Sequence, residues 1–160
     1  MKVMNIVHDS IVDGPGFRTV VFFAGCPHHC KGCHNPQSWN EENGTVMKRD
    51  EILAEISGNE LTNVTLSGGE PFLQSTEVAK LAESIHTLGK TIWCYTGYEF
   101  EQLLQNPVHL SLLEQVNVLV DGEFDIEQRD LSLLYKGSRN QRIIDVKRSL
   151  HEGKTILYKN

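Results

Sequence analysis

Three cysteines stand within eight positions of the stretch FFAGCPHHCKGCHNP, at Cys26, Cys30 and Cys33, and no fourth follows nearby. Thiolates spaced C-x3-C-x2-C along one loop can wrap a single compact metal centre. Two chemistries suit them. Zinc would take the three sulfurs and complete a Cys3His set from His28, His29 or His34, although structural zinc sites usually gather ligands from two separated segments. An iron–sulfur cubane normally takes four cysteines. Held by three, it keeps one iron without a protein ligand, and that open corner can coordinate a substrate or cofactor, as the free position of a catalytic zinc does. The remaining cysteine, Cys94, sits far off in TIWCYTG and reads as a small buried core residue.

A loop of this kind has to be held by regular elements, and the apolar pattern supplies them. RTVVFFAG (18–25), rich in valine and phenylalanine, reads as a buried strand running straight into the cysteines. RDEILAEISG (49–58) reads as a helix, with Ile52, Leu53 and Ile56 on one face and Gly58 as its stop. NVTLSG (63–68) is a second strand. STEVAKLAESIHTLG (75–89) is the clearest helix, since Val78, Leu81, Ala82, Ile85 and Leu88 share a face. KTIWCYTG (90–97) is a third strand, EFEQLLQ a short helix and QVNVLVDG (115–122) a fourth strand. QRIIDV and KTILYK leave room for one or two more. Strands alternating with helices predict right-handed crossovers and a mostly parallel α/β sheet. The cysteine loop, SGGEP, YTGY and VDGEF each then follow the carboxyl end of a strand, the edge where parallel α/β architectures assemble their sites.

The length of 160 residues suits one domain, 1–160, with no linker or repeat to divide it. A net charge of −6 argues against a general nucleic-acid binder, which needs a basic face for phosphate. One local basic run exists, Lys136, Arg139, Arg142, Lys147 and Arg148. It reads either as a solvated surface or as a docking site for an acidic group. The amino-terminal MKVMNIVHDSIVDGPG has no signal-like apolar core, and no apolar run is long enough to span a bilayer. The expected location is therefore cytoplasmic, away from membranes. Cysteines stay reduced there, which favours metal binding over a disulfide.

The C-x3-C-x2-C loop after a first strand, followed one strand later by SGGEP (67–71), resembles the signature of the radical S-adenosylmethionine (radical SAM) enzymes. In that superfamily three cysteines hold a [4Fe–4S] cluster, and the amino and carboxylate groups of S-adenosylmethionine take the fourth iron. Reductive cleavage then gives a 5′-deoxyadenosyl radical that abstracts hydrogen from the target. The resemblance makes Cys26, Cys30 and Cys33 the cluster ligands, and adds Gly32, Cys33 and His34 to the cofactor contacts. His34 stands where the superfamily usually has an aromatic residue beside the adenine. Gly68 and Gly69 would let the backbone approach the methionine moiety, and Glu70 would offer its carboxylate to the ammonium. Thr96 and Asp121 would line the cofactor pocket or a cation site, with a strand-end turn as the alternative for Asp121. His28 and His29 read as loop side chains or as hydrogen bonders behind the ligands.

DGPGFRTVVFFAGCPHHCKGCHNPQSW further resembles the opening of the glycyl-radical activases. TGY (96–98), NVLVDGEF (117–124) and KGSRNQRIID (136–145) are similar to the branch that activates anaerobic ribonucleoside-triphosphate reductase. That resemblance implies the reductase as protein substrate and a low-potential electron donor such as flavodoxin. Four to six strands cannot close an eight-stranded barrel, so the expected fold is an open, partial (β/α) barrel of parallel strands, whose open side admits a macromolecule. The other readings are an activase of another glycyl-radical enzyme such as pyruvate formate-lyase, a small-molecule radical SAM enzyme, and a zinc-binding interaction module.

Overall fold

The computed structural model describes residues 1–159. Its strands are β1 (Lys2–Ser10), β2 (Arg18–Phe23), β3 (Thr45–Val46), β4 (Asn63–Gly68), β5 (Ile92–Tyr95), β6 (Val118–Asp121) and β7 (Arg142–Asp145). Its helices are α1 (Arg49–Ser57), α2 (Ser75–Thr87), α3 (Phe100–Leu104), α4 (Pro107–Leu113) and α5 (Val146–Glu152). All seven strands join one mixed sheet in the order β3-β1-β2-β4-β5-β6-β7. β2, β4, β5 and β6 are parallel neighbours, while β1 pairs antiparallel with β2 and β3, and β7 antiparallel with β6.

The four central strands were the four marked by β-branched and aromatic runs, and α1 and α2 fall where the helical period placed them. The sheet is nevertheless larger and less parallel than expected. β1 buries only Val3 fully and has much exposed surface, because it lies near an edge and carries only β3 outside it. The KTILYK tail forms no strand and contributes a single bridge, Leu157 to Ile144. Leu88, expected on the apolar face of α2, lies beyond its end and is exposed, and Gly89 follows at φ +76°. Among the described residues, no helix is long and apolar enough to cross a membrane.

Alternation along the strands sends side chains to two faces. Val21, Phe23, Val64, Leu66, Ile92, Cys94 and Leu119 point to the helical side and pack with Ile52, Ile56, Leu81, Ile85, Leu103 and Leu112. Cys94 is fully buried there. The other face carries Trp93, Val118 and Val120, covered by Tyr95, Tyr135, Ile143 and Tyr158. Buried Arg18 lies on that face as well, 5.8 Å from the Trp93 ring centroid. Its guanidinium donates to Thr65 Oγ1 and to the carbonyls of Pro15 and Val64, which ties the DGPG loop down onto the sheet.

Candidate metal centre

Parallel β2, β4, β5 and β6 deliver their following loops to one edge, and these loops build the site. The cysteine loop is stitched to the glycine loop by backbone hydrogen bonds. Gly69 N donates to Phe23 O and Glu70 N to Gly25 O, both at 2.8 Å. From the far side Gly25 N donates to Ser38 O and Cys26 N to Trp39 O. A cavity of about 220 Å³ opens between the loops. Cys26, Cys30 and Cys33 line it together with His28, His34, Gly68, Gly69 and Thr96. Gly68, at φ +103°, lies against Phe23, and a Cβ at Gly69 would stand 2.4 Å from Gly25 O. The two glycines therefore let the loop lie flat against its neighbour.

The three thiols are half-buried and unbridged. The Asn35 N–H donates to Cys33 sulfur at 3.4 Å, and the His28 and His29 peptides near Cys26 and the Phe124 peptide near Cys30 favour the thiolate forms. Burial pushes the Cys26 thiol up to about 11 against the pull of those amides. Burial raises Cys30 as well. A metal ligated here would displace the protons and put thiolates in front of the amide donors, which stabilise negative sulfur. Among the described residues, no three acidic, histidine or cysteine side chains close on one metal ion. The three cysteines line one cavity, and thiolates are the ligand type that iron–sulfur clusters take. The residues present fit a three-cysteine cluster.

Glu70 is the hub beneath this cavity. Its side chain is fully buried. Oε1 accepts from His28 Nε2 at 2.7 Å, Thr96 Oγ1 at 2.7 Å and Gly97 N at 2.9 Å, and Oε2 accepts from Phe72 N at 3.1 Å. Four of the protein's own donors reach this carboxylate, expected from the sequence to meet a cofactor ammonium, and Oε2, with one donor, keeps a lone pair for another. Thr96 lines the cavity and supplies one of those donors. His34 lines it too, with its ring 5.5 Å from that of Phe124. Gly32 turns the loop at φ +79° and lies over Ile126.

Asp121 lies beside this cavity, in a neighbouring one lined also by Glu99, Gln102, Glu123, Asn140 and Arg142. Its carboxylate, 1% exposed, pairs with Arg142 through Nε at 3.0 Å and Nη2 at 2.6 Å, and accepts from Phe100 N at 2.8 Å. Arg142 also grips Glu101. Asp121→Asn is expected to destabilise the fold by about 1–3 kcal/mol, read by urea unfolding, because it leaves a partly buried guanidinium short of charge. The hydrogen bond from Arg142 holds Glu101 down at about 2, from an ordinary 4.5. A depressed carboxylate stabilises the folded chain fully above its ordinary value and loses that as pH falls towards 2. This contribution should stay within about 1 kcal/mol, since half of the Glu101 side chain is in water.

The basic run is dispersed. Lys136 donates to Gln141 O, Lys147 to Glu114 O, Arg142 is held as above, and Arg148 pairs with Glu152 at 3.6 Å. Three contributors to the cavity, Phe124, Gln141 and Ser38, lie in stretches quoted for the resemblance but were not singled out as site residues. Each arrives from a loop whose path is set by tertiary contacts.

A family model described as a 4Fe-4S single cluster domain matches residues 12–144. The chain is 36% identical over 140 residues to the anaerobic ribonucleoside-triphosphate reductase-activating protein of Salmonella typhimurium, covering 82% of this chain and 90% of that protein. The protein of the same name from Enterobacteria phage T4 is 34% identical over 139 residues, covering 82% and 86%. That of Haemophilus influenzae is 33% identical over 155 residues, covering 89% and 97%.

Proposed function

Because the chain belongs to the family of anaerobic ribonucleoside-triphosphate reductase-activating proteins, with a 4Fe-4S single cluster domain, we propose that it is a radical SAM activase that generates a glycyl radical on that reductase. The observation that carries this reading is the meeting of Cys26, Cys30 and Cys33 with Gly68 and Gly69 in one cavity at the carboxyl edge of the parallel strands. When bound, the [4Fe–4S] cluster supplies the electron for cleavage of S-adenosylmethionine and so for removal of a Cα hydrogen from the partner's glycine.

The chain's own residues position rather than exchange protons. The cysteines are the ligands, and three of them leave a coordination site for S-adenosylmethionine. Gly68 and Gly69 bring peptide groups to the methionine moiety. Glu70 fixes the glycine loop against Thr96 and Gly97 and offers Oε2 to the ammonium of S-adenosylmethionine. His34 and Phe124 offer ring faces to the adenine. Asp121 holds the strand end that shapes the neighbouring wall. Such placement brings the reacting centres together before the electron moves.

The whole chain, 1–160, acts in this reading as one domain, with the central strands forming an open, partial (β/α) barrel. The partner covers the rim, and a low-potential donor such as flavodoxin supplies the electron. The test is anaerobic incubation of iron-loaded protein with S-adenosylmethionine, reductant and the reductase, followed by electron paramagnetic resonance. A glycyl-radical signal on the reductase is expected. Cleavage with no radical on the reductase would redirect the reading to another partner, and no cleavage at all would remove the activase.

A further inference from the structure

The cysteine loop is exposed at Pro27, His29, Lys31 and Gly32, yet the His28 side chain between them is 8% exposed. It crosses the rim and touches all three other loops. Nε2 lies 2.7 Å from Glu70 Oε1 in the loop after β4, and Nδ1 lies 3.2 Å from Glu123 Oε1 in the loop after β6. In the loop after β5 the ring packs edge-on against Tyr98, with centroids 4.6 Å apart. It also fills the space over Gly97, where an added Cβ would stand 2.4 Å from His28 Cδ2. His28 stands two positions after Cys26 and two before Cys30. An imidazole locked between two carboxylates and a tyrosine therefore fixes the backbone between these two ligands.

We propose that His28 is the positioning residue of the cluster site: by clamping the cysteine loop to the loops after β4, β5 and β6, it fixes the backbone between Cys26 and Cys30 and with it the loading and redox behaviour of the metal centre. This rests on the three-cysteine cluster reading above. Hydrogen bonds to cluster sulfurs and local charge tune the reduction potential. A buried donor beneath the ligands also limits the rotamers from which metal is captured. Removing the ring leaves Glu70 with the Thr96, Gly97 and Phe72 donors, so the glycine loop keeps its anchor. Gly97 is the complementary half of the clamp, since only a residue without Cβ admits the ring.

The experiment compares wild type with His28→Ala, His28→Gln and Gly97→Ala after identical anaerobic reconstitution. It reads iron and sulfide per chain, the midpoint potential of the bound cluster, and the circular dichroism of the metal-free proteins. His28→Ala and Gly97→Ala should keep the metal-free spectrum of wild type, load less than half as much iron, and shift the potential of what they hold to more negative values. His28→Gln, which retains a donor for Glu70, should recover most of the loading. Wild-type loading and an unchanged potential in His28→Ala would overturn the clamp. Wild type that takes up no iron–sulfur cluster would overturn the underlying reading instead, so the two failures are separable. A His28→Ala protein whose metal-free form is unfolded would also overturn the proposal, by making the residue a fold determinant.

Discussion

Alanine at Cys26, Cys30 or Cys33 should give a colourless, folded protein that holds no cluster and cleaves no S-adenosylmethionine. The effect should be near complete because Cys94, His28 and His29 are held by other contacts. Cys94 is fully buried on the helical face of the sheet. His29 is stacked on Trp39 with ring centroids 4.6 Å apart, and His28 is engaged by Glu70 and Glu123. A cubane left with two thiolates loses a second iron corner to solvent, where oxidation dismantles it. Stability of the metal-free chain should change by less than about 1 kcal/mol, as expected of partly exposed positions outside the core. Iron and sulfide content, the brown absorbance and methionine release give the check. A single-cysteine variant that still cleaved S-adenosylmethionine at the wild-type rate would sink the assignment of ligands.

The second large effect is expected at Gly68. Gly68→Ala should destabilise the folded chain by about 3–5 kcal/mol, the sum of a left-handed backbone penalty and severe overpacking. The residue sits at φ +103°, and its added Cβ would stand 2.2 Å from Phe23 N and 2.5 Å from Phe23 O. Those are backbone atoms of the paired strand, in register Phe23 to Gly68, so no side chain can swing aside. The β2–β4 ladder would have to part at the point where it delivers the cysteine loop. Gly153→Ala is the control: φ is +69° with open space around the Cβ, and the loss should be about 1 kcal/mol. Urea unfolding of the metal-free proteins measures both. Equal stability of Gly68→Ala and wild type would mean that β2 and β4 do not pair in this register.

The parts of the fold that could be read directly were those written in short-range pattern. The valines and phenylalanines of 18–23 and the period of Val78, Leu81, Ala82 and Ile85 each report burial from neighbours within one element. The edge elements were less readable. β1 is only half covered and so lacks a strong apolar run. β7 is too short for its direction to show before it pairs with β6. Asp121 illustrates the same limit at the site. Its place at a strand end left two readings open, a pocket-lining carboxylate and a strand-end turn, and the pairing of both its oxygens with Arg142, 21 residues away, carried no mark in the local sequence.

What the sequence determined by itself is the chemistry on offer. Three thiols on one loop and two glycines before a glutamate are set by covalent spacing, which bounds how far apart neighbouring groups can lie whatever the rest of the chain does. Tertiary structure decided how those groups are held. Glu70 is held by four donors, His28 bridges four loops, and Cys33 sulfur accepts from the Asn35 amide. These contacts join residues up to 95 positions apart, as between His28 and Glu123. They exist only once parallel pairing has brought four strand ends to one edge, because short-range forces act on distance in space and carry no mark in the spacing along the chain.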